Sequence, residues 1–126
     1  MKKILLIMVL SVQLLACSTT GDGVMQPSVL LTAMQLGKRL VIVDVRSEAE
    51  YKAGHVPGAI HIPFWRAFTT DKLMKVDKDE AIIVYCAHGP RAGVAKLAFS
   101  WDGFNDLRYL AGHMTAWNSA GLPIAK

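Results

Sequence analysis

One cysteine in this chain stands where its neighbours would prepare it for chemistry. Cys86 opens the run Cys86-Ala87-His88-Gly89-Pro90-Arg91. The apolar segment before it, Ala81 to Tyr85, is β-branched at its centre and reads as a buried strand. The segment after it, Ala92 to Trp101, carries apolar residues at helical spacing. A thiol between the two sits where a strand ends and a helix begins. There several backbone N–H groups and the positive end of a helix dipole converge. A positive potential favours thiolate over thiol, and the same surroundings favour an anionic substrate. The loop therefore reads as a nucleophile and an anion site in one. Ala87, His88, Gly89 and Arg91 are the candidate donors, with Ala92 at the margin; Pro90 has no N–H to give. Arg91, always charged and planar, is the candidate side chain for gripping an anionic oxygen.

The elements that must position this loop can be read in chain order. Met1 to Ala16 has a basic start at Lys2 and Lys3 and an apolar run from Ile4, the pattern of a secretory signal too short to span a bilayer. Leu14-Leu15-Ala16-Cys17 resembles a bacterial lipobox, which predicts an exported, periplasmic lipoprotein anchored to a membrane through a lipidated Cys17. The alternative is a conventional signal cut nearby with Cys17 incidental. Residues 17–26, small and polar at their start, read as a flexible tether, and residues 27–126 as one domain.

Within that domain Pro27 to Leu36 reads as a helix stopped by Gly37, and Leu40 to Val45 as a parallel strand covered on both faces. Asp44 interrupts this strand. Arg46, two residues on, lies on the same side of an extended chain and is its expected partner. Ser47 to Lys52 opens with a capping box, Ser47 with Glu50, and Gly54 ends that helix. A turn at Pro57-Gly58 leads to a short strand closed by Pro63. His55 and His61 lack a neighbouring set that would complete a metal site, so they are expected to hold loops through hydrogen bonds to backbone. Phe64 to Lys75 is helical or irregular, with Trp65 and Phe68 spaced like core aromatics. Leu107 to Leu110 is a last strand, and Gly112 to Trp117 turns into a last helix. Strands alternating with helices imply an α/β domain with a parallel sheet and helices on both faces, and such sheets bind ligands beyond the carboxyl ends of their strands.

Composition excludes other classes. The formal net charge of +4 falls to +2 without Lys2 and Lys3, and the remaining basic residues are scattered, which gives no footprint for nucleic acid. With two cysteines in unlike contexts, neither a disulfide nor a zinc set is expected, and no other cofactor is predicted.

Several separated motifs together resemble the rhodanese-type sulfurtransferases. They are Val43-Asp44-Val45-Arg46, the stretch Tyr51 to Pro63, Val84-Tyr85-Cys86 with Gly89 and Arg91, and Leu110-Ala111-Gly112 with Ala116-Trp117. The resemblance spans about residues 27 to 123 and implies a single-domain rhodanese-like fold. It implies a thiosulfate sulfurtransferase in which Cys86 takes sulfane sulfur from an anionic donor, becomes a persulfide, and passes sulfur to cyanide or a thiol. Asp44, Arg46 and His113 are the candidate supporting residues around the loop. A cysteine phosphatase or arsenate reductase of similar fold is the enzyme alternative, although those typically use C-x5-R where this chain has C-x4-R. A non-catalytic interaction module is the other, although such modules usually lack the cysteine. One departure stands out. Where the family often has a second glycine after Gly112, this chain has His113. At a helix start its side chain is expected to face solvent, the alternative being an approach to the loop as a titratable donor. His88, if protonated, would likewise favour thiolate and anion.

Overall fold

The computed structural model describes residues 23–126, so the predicted signal and Cys17 lie outside the described residues. Five parallel strands run in the order β1-β5-β4-β2-β3: β1 (Val24–Met25), β2 (Val41–Asp44), β3 (Ile60–His61), β4 (Ala81–Tyr85) and β5 (Asp106–Leu110). Four α-helices connect and cover them: α1 (Pro27–Gln35), α2 (Glu48–Ala53), α3 (Pro90–Trp101) and α4 (His113–Ser119). This is the α/β architecture expected from the alternating pattern.

Side chains on β4 take turns facing the two sides, as period-two geometry requires. Ile82, Val84 and Cys86 join one core with Val43, Val45 and the α3 residues Ala92, Ala95, Ala98 and Phe99. Ile83 and Tyr85 join the other with Leu30 of α1 and Met114 and Trp117 of α4. Both faces of the sheet are thereby covered, which is why β2 and β4 read as nearly continuous apolar runs. Trp117 is fully buried and satisfies its indole N–H on the Pro123 carbonyl at 2.8 Å.

Three expectations need correction. Val24–Met25, assigned from composition to the flexible tether, form an edge strand paired with Tyr109 and Leu110 of β5. Two residues carry too little pattern to register as a strand until their partner is known. Helix α3 begins at Pro90 rather than Ala92, because a proline at the first helical position loses only an N–H that has no intrahelical partner there. Trp65 and Phe68, spaced like core residues, are 58% and 50% exposed. Their segment folds only as a 3-10 turn, Phe64–Arg66, followed by further turns, and no helical face exists to carry them inward. Phe68 instead stacks edge-on with exposed Trp101 of α3, ring centroids 5.6 Å apart.

Candidate active site

Cys86 is the first residue beyond β4, 1% exposed, on the floor of the loop that climbs into α3. The loop turns sharply because Gly89 adopts φ 137°, a left-handed conformation open essentially to glycine. That turn brings the Gly89 N–H to 2.9 Å from Sγ, where it donates. Burial alone pushes the Cys86 thiol up. The His113 imidazole, the N–H groups of Ala92 and Gly89, and the charge His113 can carry more than offset this, and the thiol is brought down to about 7. Gly89 and Ala92 are therefore the predicted donors that reach the sulfur. The side chain of His88 is exposed.

His113 does not face solvent. It is 9% exposed, and its Nδ1 accepts the Cys86 N–H at 3.2 Å while lying 4.0 Å from Sγ. The backbone explains the reversal. Gly112, the N-cap of α4, and His113, its first residue, are both left-handed, at φ 67° and 54°, so the chain doubles back under the loop as it enters α4. At Gly112 a side chain would collide with Cβ of Ala116. The Met114 N–H then donates to the Cys86 carbonyl at 3.0 Å, and Thr115 donates to the Ala87 carbonyl through Oγ1 at 2.9 Å. The first turn of α4 thus clamps the nucleophile from below. Thr115 gave no signal in the sequence, since an exposed helical threonine has no pattern of its own.

The Asp44–Arg46 pair forms as expected from its spacing. Asp44, 0% exposed, accepts from the Arg46 backbone N–H at 2.9 Å and from its guanidinium at 2.7 to 3.1 Å. Arg46 also donates to the Gly54 carbonyl at 2.7 Å, which ties the end of β2 to the loop after α2. Tyr85 is buried beside this pair; burial above all, and then the Asp44 carboxylate, push its hydroxyl up, and that hydroxyl accepts the Val56 N–H at 3.0 Å. The histidines act as predicted: His55 Nδ1 bonds the Tyr51 carbonyl and His61 Nε2 the Arg46 carbonyl, each at 2.8 Å.

Arg91 departs from its expected use. Its two terminal nitrogens donate to the two carboxylate oxygens of Glu50 at 2.6 and 3.0 Å, a fork-to-fork pair. Its contact is with a protein carboxylate rather than an open oxyanion position, though its charge still lies near enough to couple to Cys86. Glu50 completes the capping box of α2 with Ser47 as well, and the Arg91 guanidinium above all holds its carboxyl down at about 2. Sequence reasoning found Glu50 as a cap. The bond to Arg91, 41 residues away, needed the fold.

A buried free cysteine at the carboxyl end of a central parallel strand, cradled where a helix starts, defines an α/β domain built around a thiol prepared to ionise. A family model described as the rhodanese-like domain matches residues 27–120. The thiosulfate:glutathione sulfurtransferase of Saccharomyces cerevisiae is 34% identical over 93 residues, covering 65% of this chain and 67% of that protein. An HTH-type transcriptional regulator of Mycobacterium tuberculosis is 34% identical over 111 residues, 82% of this chain, and the chain spans 48% of its length. A crystal structure from Bacillus halodurans superposes with a TM-score of 0.73 at 27% identity, covering 81% of this chain and 75% of that one. This chain belongs to the rhodanese-like domain family.

Proposed function

We propose that the chain is a sulfurtransferase that moves sulfane sulfur from thiosulfate or a similar anionic donor to cyanide or a thiol through a persulfide on Cys86. The observation that carries this reading is the thiol itself: buried, met by the Gly89 N–H at 2.9 Å, and ionised around neutrality. The Cys86 thiolate attacks the outer sulfur of the donor. The donor's S–S electron pair leaves with sulfite, and the outer sulfur stays bound to Sγ as a persulfide anion. The acceptor then attacks that outer sulfur, and the electron pair of the Sγ–S bond returns to Sγ as thiolate. Both steps place negative charge beside the N–H cradle at the start of α3, which stabilises it in place of water. The yeast relative, described as acting between thiosulfate and glutathione, supports an anionic donor and a thiol acceptor. The Arg91–Glu50 fork argues against phosphatase chemistry, because an arginine committed to a carboxylate is not available to clamp a phosphate.

Mass spectrometry of the protein with and without thiosulfate tests the reading. A gain of one sulfur, about 32 Da, that is lost in Cys86→Ser supports it. The absence of an adduct combined with hydrolysis of an aryl phosphate refutes it. Export and lipid anchoring through Cys17 form a separate proposal that rests on the lipobox resemblance alone. Detergent-phase partitioning that disappears in Cys17→Ala supports it, and unchanged partitioning refutes it.

A further inference from the structure

The placement of His113 asks for an explanation that the N–H cradle does not supply. A left-handed backbone is unfavourable for a residue with a Cβ, and the structure spends it on carrying an imidazole into the loop rather than out to water. Once there, Nδ1 lies 3.2 Å from the Cys86 nitrogen and 4.0 Å from Sγ, while a methyl group added at Gly89 would meet Nε2 at 3.4 Å. The ring therefore lies beneath both the nucleophile and its principal N–H donor. Accepting the Cys86 N–H requires an unprotonated Nδ1, so the resting ring is neutral with its hydrogen on Nε2. The only acceptor atom of the neutral ring thus faces the only thiol among the described residues.

We propose that His113 is a catalytic base, taking the thiol proton of Cys86 onto Nδ1 and holding the resulting thiolate as an imidazolium–thiolate pair. The S–H bond breaks, an Nδ1–H bond forms, and the electron pair stays on sulfur. On protonation Nδ1 gives up the Cys86 N–H and donates to Sγ instead. This deepens the sulfur-transfer reading. The same imidazolium faces Sγ when the acceptor breaks the persulfide bond and the electron pair returns to that sulfur.

Cys86 of the loop and Tyr109 of β5 face the ring, the Tyr109 ring centroid at 5.9 Å, and Lys96 of α3 sits over the Tyr109 ring at 4.4 Å. The neighbouring loop carries His88, exposed, and Arg91, paired with Glu50. Among the described residues no carboxylate hydrogen-bonds His113, so the thiolate is the counterion that would stabilise its charged form.

The test follows the thiolate by iodoacetamide alkylation across pH, without any sulfur donor, in the wild type, His113→Gly and His113→Asn. Glycine suits the left-handed backbone and removes the base. Asparagine tolerates that backbone and can still accept the Cys86 N–H, but it takes no proton. Both variants should shift the alkylation midpoint upward by about one pH unit, roughly fivefold slower alkylation at pH 7, and added imidazole should restore part of the rate to His113→Gly. A wild-type midpoint in both variants overturns the proposal. So does a wild-type midpoint in His113→Asn alone, since the ring would then act only as a fixed acceptor for the amide. Because no donor is present, these outcomes are independent of whether thiosulfate loads Cys86.

Discussion

Gly89→Ala puts the loop geometry to its most direct test. Two effects compete to set its cost. The added methyl would meet His113 at 3.4 Å from Nε2 and 3.8 Å from Cδ2, tight but within what a small ring movement relieves. The backbone is the harder constraint, because φ 137° lies where a side chain is strained whatever the space around it. Such conformations cost about 1–3 kcal/mol for a non-glycine residue, so the backbone term dominates. The chain can absorb that cost, with the urea midpoint falling by about 1 M, or relax the turn and swing the Gly89 N–H away from Sγ. Relaxation removes a hydrogen bond to a charged sulfur worth about 1.5–3 kcal/mol, hence about a 10- to 150-fold slower loading by thiosulfate. Gly93, one turn along α3, is the control. Its added methyl would lie 3.8 Å from the Tyr109 hydroxyl and its backbone is not left-handed, so Gly93→Ala should be neutral or stabilising by about 0.5–1 kcal/mol. Urea unfolding and rapid-quench mass spectrometry read the two quantities separately. A Gly89→Ala protein with wild-type stability and wild-type loading would refute the argument.

Further outcomes follow from the same geometry. With the thiol at about 7, wild-type alkylation by iodoacetamide should reach half its maximum near neutrality; a midpoint above about 8.5, as for a free cysteine, would contradict the cradle. Removing the Asp44 carboxylate with Asp44→Ala strands a buried guanidinium, and denaturant titration should show a loss of about 3–5 kcal/mol. Glu50 is depressed in the folded state to about 2, so the stability it contributes is present above its ordinary pH range and is lost as pH falls towards 2. Its side chain is 34% exposed, so Glu50→Gln should cost about 1 kcal/mol at pH 7, and the difference from wild type should vanish in acid titration of stability.

Much of this protein is legible without coordinates because its signals are local. The apolar runs before Asp44 and Cys86, the Ser47–Glu50 cap and the spacing of Asp44 and Arg46 each act over a few residues, where periodicity and reach settle the outcome. The position of Cys86 was legible in the same way, since a cysteine between an apolar strand and a helix has one place to go. What stayed hidden depends on contacts between distant segments. Val24–Met25 becomes a strand only because β5 offers an edge, and Trp65 and Phe68 stay outside because no helix forms to turn them inward.

The sequence by itself determined the class of fold, the cysteine and the loop that cradles it, because alternating elements and a strand–loop–helix junction follow from short-range pattern. Tertiary structure decided who attends that cysteine. It gave Arg91 to Glu50, 41 residues back, and brought His113, 27 residues on, beneath the thiol. Those partnerships depend on parallel crossovers that place the start of α4 under the end of β4 and the cap of α2 beside the start of α3. Composition and spacing carry no trace of that placement.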